Sequence, residues 1–222
     1  MSANGKEKIT EYLKSNILVT DGAMGTYFAS LYDTKEPPEY CNIKDSKKIY
    51  DIHRQYIENG AKIIRTNTYA CNTFTLNYKI EDVKESIKCA CKIASEAAKG
   101  HEDIFIAGDI GPITYNHNDM QKQVSDEYVV IAKTMIESGV DAIVFETFPD
   151  MDDIKEALKY IERIQPRIVI PMHYRSHEFG YDVLSTNEEF IQKSSNIVYV
   201  DDYLEVHKET KGQTIVFKKP RN

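Results

Sequence analysis

ILVTDGAMGT, residues 17–26, carries an apolar, partly β-branched run to an aspartate and then thins to glycine and alanine. Such a run reads as a strand. The Gly-Ala-Met-Gly that follows leaves backbone N–H groups bare at its carboxyl end. A strand end that offers the Asp21 carboxylate beside free N–H groups can take a cation and an anion together. A zwitterion, with its ammonium and its carboxylate, offers both.

Outward from this stretch the pattern becomes regular. Upstream, KEKITEYLKS (6–15) places Ile9 and Leu13 on one stripe and reads as a short lead-in helix. Downstream, strand and helix alternate. The spacing predicts a helix over 45–60 ending on Gly60, a strand over 61–69, and a helix over 81–100 ending on Gly100. A strand over 103–113 follows, then a helix over 125–139 with Ser125 and Asp126 as cap candidates, and a strand over 141–148. A fourth helix opens on the acidic Asp150–Asp153 stretch, and RIVIPMHY (167–174) reads as a fifth strand. Strands that are apolar nearly throughout, alternating with helices, mean a parallel sheet covered on both faces.

Composition narrows the partners. The 222 residues, 41% of them hydrophobic, suffice for one substantial core with a small appendage. A formal net charge of −7 argues against a nucleic-acid surface or an anionic membrane, both of which reward clustered Lys and Arg. No apolar run approaches the ~20 residues of a membrane span, and the polar start is unlike a secretory signal, so a cytoplasmic protein is expected. The four cysteines, Cys41, Cys71, Cys89 and Cys91, form no CxxC pair and are expected to be reduced thiols.

In a parallel α/β sheet the site lies at the carboxyl ends of the strands. Four such ends carry polar or glycine residues where an apolar strand stops: TDGAMGT, RTNTYACN, GDIGP and FETF. Glu146, in the last of them, is the natural second acceptor beside Asp21 for an ammonium. ILVTDGAMGTYF, YIENGAKIIRTNTYACNTFTL, AGDIGPI and GVDAIVFETF, in this order, resemble the homocysteine-binding domain of the homocysteine S-methyltransferases, over about residues 8–160.

The resemblance implies a (β/α)8 barrel of TIM type that binds homocysteine by its amino-acid end and moves a methyl group onto its thiol to make methionine. By motif, Asp21 and Glu146 would hold the ammonium, backbone N–H groups around Gly22 and Ala23 the carboxylate, and Thr66 and Asn67 would line the same mouth. It also implies zinc, which stabilises the thiolate of a group otherwise mostly protonated at neutral pH, and a methyl donor such as methyltetrahydrofolate through cobalamin. In that family three cysteines hold the zinc, from a Gly-x-Asn-Cys and a Gly-Gly-Cys-Cys segment, and neither segment occurs here. Cys89 and Cys91 stand two apart on a predicted helix and point in divergent directions. Cys71, near a strand end, is the one thiol placed for the mouth.

About four βα units precede a change of pattern, against the eight of a closed barrel of ~250 residues. The expectation is therefore an incomplete barrel over 1–162 with a small βαββ appendage over 163–222. Open sheet edges would favour self-association or a partner domain. IERIQPRIVIPMHY and the strand-like NIVYV and QTIVF resemble the C-terminal end of metallo-β-lactamase-fold hydrolases, in which His173 would be a metal ligand. The HxHxDH cluster that chemistry needs is absent. Three readings follow: a homocysteine S-methyltransferase, impaired by loss of the zinc segments; a non-catalytic amino-acid-binding module or truncated chimeric remnant; and a metal-dependent hydrolase.

Overall fold

The computed structural model describes residues 8–9, 11–115, 120–148, 168–169, 197–200 and 213–217. It is an α/β structure built on parallel strands. Strands β1 (Ile63–Arg65), β2 (Phe105–Ile110) and β3 (Ala142–Phe145) form a sheet in that order, all parallel. Helices α1 (Met24–Tyr32), α2 (Cys41–Lys44) and α3 (Ser46–Glu58) precede β1, α4 (Thr73–Leu76) and α5 (Ile80–Ala98) join β1 to β2, and α6 (Gln121–Glu137) lies between β2 and β3. A second parallel sheet pairs β4 (Ile168–Val169) and β5 (Ile197–Val200) with β6 (Gln213–Phe217) between them.

Register and alternation explain where each side chain goes. Ile63 pairs with Phe105, Arg65 with Ala107, Ala107 with Ala142 and Asp109 with Val144. Because side chains alternate along a strand, Ile63, Phe105, Ala107, Ala142 and Val144 share one face, and they form one apolar cluster with Ile9, Tyr12 and Leu18. Tyr12 meets Phe105 edge-on, with ring centroids 5.5 Å apart, so the lead-in turn closes the amino-terminal end of that face. The opposite face carries Ile64, Ile106, Ile110, Ile143 and Phe145, which pack on α5 and α6 through Ala94, Ala97, Val83, Ile87, Ile131 and Met135. Both faces are thus covered, and the strands are apolar up to Arg65 and Asp109 near their carboxyl ends.

Two expectations are corrected. The stretch before Asp21 is no full strand: Thr20 makes a single parallel bridge to Ile63, with Lys62 N–H donating to the Val19 carbonyl at 2.8 Å. It lies at the sheet edge, where Ile17 is 84% exposed, so its apolar pattern alone did not secure pairing on both sides. Helix α6 begins at Gln121, ahead of the proposed caps, because the buried stripe of Tyr128, Ile131 and Met135 extends back one turn to Val124. Ser125 is buried within it, and Asp126 pairs with Lys122 at 2.6 Å. Cys41 opens the short helix α2.

The predicted ends of α3 and α5 stand. Gly60 and Gly100 follow them at φ of 99° and 81°, a region that favours glycine. The fourth predicted helix, the boundary at 162/163 and His173 lie outside the described residues. Among the described residues, no helix is long and apolar enough to cross a membrane.

One buried hydrogen bond couples α6 to the strand-end loop after β2: the Ile113 N–H donates to the Tyr128 hydroxyl at 2.6 Å. Tyr128→Phe keeps the ring but orphans that N–H, and should lower unfolding stability by about 1–3 kcal/mol. A shift of the urea midpoint checks it.

Candidate functional site

The strand ends meet in a cavity of about 370 Å³ lined by Asp21, Gly22, Ala23, Thr66, Asn67 and Glu146, together with Met24, Gly25, Glu39, Arg65, Tyr69 and Asp109, among others. That volume lies in the range of small-molecule pockets. All six residues proposed from the sequence border it. Cys71 does not: it is 1% exposed, and its thiol faces the Val83 carbonyl at 3.8 Å.

Arg65, which sequence reasoning passed over, organises the mouth. Its backbone N–H donates to Asp21 Oδ2 at 2.8 Å and its Nε to Asp21 Oδ1 at 2.9 Å. Nη2 donates to the Gly22 carbonyl at 2.9 Å, and Nη1 to Glu146 Oε2. A guanidinium therefore sits between the two carboxylates that the resemblance assigns to a substrate ammonium. Burial works against its charge, but Asp21 and Glu146 outweigh that and hold it firmly protonated. For Asp21, burial pushes the carboxyl up while the contacts with Arg65 pull it down, and the net direction is upward.

Thr66 and Asn67 serve the architecture. Thr66 Oγ1 accepts from the Asp109 N–H at 3.2 Å and lies 2.7 Å from Thr68 Oγ1, whose hydroxyl donates to the Asp109 carbonyl. Asn67 Nδ2 donates to Asn42 Oδ1 at 2.8 Å, and Asn42 Nδ2 returns a bond to the Asn67 carbonyl. The threonine bonds lock the ends of β1 and β2 together, and the asparagine pair ties the end of β1 to α2.

Helix α1 starts inside the cavity wall. Its N-cap is Ala23, with no side-chain cap. The first N–H groups of a helix have no intrahelical acceptor, so those of Met24, Gly25 and Thr26 stand where an anion is favoured. Gly22 is required by crowding: a Cβ there would come within 2.9 Å of the Tyr56 hydroxyl, which itself donates to the Ala23 carbonyl. Thr147, after Glu146, adopts φ 63°, an unusual conformation for a β-branched residue, and its side chain hydrogen-bonds Tyr69.

Two further carboxylates were missed. Glu39, in the 3-10 turn Pro38–Tyr40, is 3% exposed; Oε1 accepts from the Ala70 N–H at 2.8 Å, and Oε2 is buried without a partner among the described residues. Asp109, on β2, is 6% exposed, and its Oδ1 is likewise buried without a partner among the described residues. Burial first, then the charge of Glu146, pushes the Asp109 carboxyl up to about 8, with Asp21 and Glu39 adding to the rise and Arg65 opposing it. Asp109 was findable: it follows Ala107 by two, on the same face as Arg65. Glu39 arrives through a loop, and no periodicity marks it.

The implied zinc finds no fitting ligands among the described residues. Burial pushes the Cys71 and Cys91 thiols up to about 12, the opposite of what a zinc thiolate needs. Burial also raises Cys41 and Cys89. No group of three or more His, Cys, Asp or Glu residues is placed to hold a metal ion among the described residues.

Comparison with known proteins gives the family and the fold. A family model described as homocysteine S-methyltransferase matches residues 18–198. A methionine synthase of Mycobacterium leprae is 30% identical over 167 residues, 68% of this chain and 14% of that protein. A methionine synthase of Mycobacterium tuberculosis is 29% identical over 176 residues, 72% of this chain and 15% of that protein. The chain thus spans a small part of the length of these relatives. Among solved structures, the metallated homocysteine methyltransferase MmuM from Escherichia coli has the same fold, with TM-score 0.68 at 14% identity over 90% of this chain and 80% of that one. Its apo form gives 0.63 at 18% identity over 81% and 67%. The family match continues to residue 198, through most of the stretch whose sequence resembles lactamase-fold hydrolases. That resemblance is unsupported and is withdrawn, and the hydrolase reading with it.

Asp109 makes a pH prediction. Its folded carboxyl holds a proton up to about 8, against an ordinary value of 3.8. Between these values the folded state binds more protons than the unfolded chain, so this group's contribution is fully present below 3.8 and is lost as pH rises through about 8. Asp109→Asn should gain stability relative to the wild type as pH rises from 4 to 8, by more than about 1 kcal/mol. Urea midpoints of both proteins across that range check it.

Proposed function

The chain belongs to the homocysteine S-methyltransferase family, and from that premise we propose that it binds homocysteine by its amino-acid end in the strand-end cavity and presents the thiol for methylation. One observation carries this reading: carboxylates, which suit a cation, and an uncapped helix start, which favours an anion, border the same cavity. Asp21, Gly22, Ala23, Thr66, Asn67 and Glu146 line the amino-acid subsite. The ligand's carboxylate lies against the first N–H groups of α1, where the helix dipole favours negative charge. Arg65 keeps Asp21 and Glu146 in place as the walls of that subsite.

Methylation replaces the S–H bond of homocysteine with an S–CH3 bond. The described residues hold the amino-acid end and supply no thiolate-stabilising ligand set, so no step at sulfur is assigned to them. Zinc, and methyltetrahydrofolate through cobalamin as methyl source, remain part of the proposal through the family. The strands β1–β3 with their helices, over 1–162, constitute part of a (β/α)8 barrel, and 163–222 a smaller C-terminal unit. The open edge at Ile17 and Val19 suits pairing with a second copy or a partner domain. Work on a small metabolite suits a cytoplasmic setting.

Isothermal titration of the reduced full chain tests the core of this reading. L-Homocysteine should bind, and 3-aminopropane-1-thiol, which lacks the carboxylate, should bind at least about tenfold more weakly, the effect of one charge-assisted contact. No binding of homocysteine at millimolar concentration would refute the proposed function.

A further inference from the structure

We propose that Tyr69 is a positioning residue of the amino-acid subsite: its hydroxyl tethers Thr147 in a left-handed turn, and that turn presents the Glu146 carboxylate to the substrate ammonium. This inference rests on the functional reading above and assigns what holds one acidic wall of its site in place.

Thr147 stands at φ 63°, where a β-branched side chain is strained and persists only if its surroundings hold it. The core holds the turn from behind. Phe145 and Phe148 meet edge-on with centroids 5.9 Å apart, Tyr128 meets Phe148 at 5.6 Å, and all three pack with α5 and α6. The aromatic pair draws both ends of residues 145–148 into the core, while the two residues between them, Glu146 and Thr147, line the cavity. The Glu146 N–H donates to the Ile110 carbonyl at 2.9 Å, so the chain stays paired with β2 up to the point where it turns. The Glu146 side chain is 21% exposed, so a ligand in the cavity reaches it beside Arg65.

Tyr69 supplies the second anchor, from the opposite side. It follows β1, lines the same cavity, and its hydroxyl hydrogen-bonds the Thr147 side chain. The rest of the residue is seated just past the end of β2. There the Gly111 N–H donates to the Tyr69 carbonyl at 3.0 Å, and a Cβ on Gly111 would lie 2.6 Å from that oxygen and 2.7 Å from two carbons of the ring. Only glycine lets the ring lie so close. One side chain thus spans three strand ends: rooted after β1, seated against Gly111 after β2, and tied to the turn after β3. A ring seated in this way has little rotamer freedom left to lose, so its single hydrogen bond goes into holding the strained turn.

The test compares L-homocysteine with 4-mercaptobutanoate, the same molecule without its amino group, by isothermal titration of the reduced full chain. Wild type should prefer homocysteine by at least about tenfold. Tyr69→Phe and Thr147→Val, which each remove one hydroxyl and keep the shape, should each cut that preference about fivefold. The double variant should cut it no further, because both changes break the same tether. A general loss of stability weakens both ligands alike and leaves the ratio unmoved. Thr147→Gly, which adopts the left-handed turn without strain, should bind homocysteine at least about threefold more tightly than Thr147→Val. A wild type that binds both ligands equally, an unchanged preference in Tyr69→Phe, losses that multiply in the double variant, or equal binding by Thr147→Gly and Thr147→Val would overturn the assignment and leave the homocysteine reading standing. Failure of wild type to bind homocysteine at all would overturn both.

Discussion

The Arg65 guanidinium is the cation around which the strand ends are arranged. Its backbone and side chain both bind Asp21, 44 positions earlier in the chain, and its Nη1 reaches Glu146, 81 positions later. Three segments that no local rule brings together are thereby held at one point. Charges this sheltered stand only in company: Asp21 is 8% exposed, and a carboxylate so buried needs its partner, because removal of one member of such a group leaves the other without compensation. Arginine suits the position better than lysine, since its planar fork binds several acceptors at once and keeps its charge when buried.

Beneath this network the sheet changes chemistry over a single step. On the shared face, Ile63 gives way to Arg65, Ala107 to Asp109 and Val144 to Glu146, each two residues further along its strand. The lower layer is apolar and closed by Tyr12 on Phe105. The upper layer is ionic and open to the cavity. Parallel register is what makes this possible: it brings equivalent points of successive strands side by side, so one polar residue per strand becomes a polar layer. The opposite face stays apolar for its full length because α5 and α6 cover it.

Among the described residues the cavity is rich in acceptors and short of cationic donors: Asp21, Glu39, Asp109 and Glu146 face it with Arg65. The uncapped start of α1 adds donors at another part of its wall. Such a distribution suits a small zwitterion and matches a family that acts on homocysteine. The thiols take no part in it. Cys71 and Cys91 are packed among Val83, Ile87 and Tyr128, where burial holds them protonated and inert.

By itself, the sequence determined the alternation of strand and helix, the parallel sheet, the glycine ends of α3 and α5, and the chain segments that border the cavity, because these follow from local periodicity and backbone preference. DGAMGT was legible for the same reason: a carboxylate and an uncapped helix start lie within six consecutive residues. What only the tertiary structure decided was how charges at different strand ends are shared. Asp21 and Glu146 are two acidic residues in sequence, and nothing near either says that Arg65 lies between them. Glu39 arrives by a loop with no period to follow, and only register sets Asp109 among the charges of Glu146, Arg65 and Asp21. Pairing of charges is a property of distance in space, and the chain records distance only along itself.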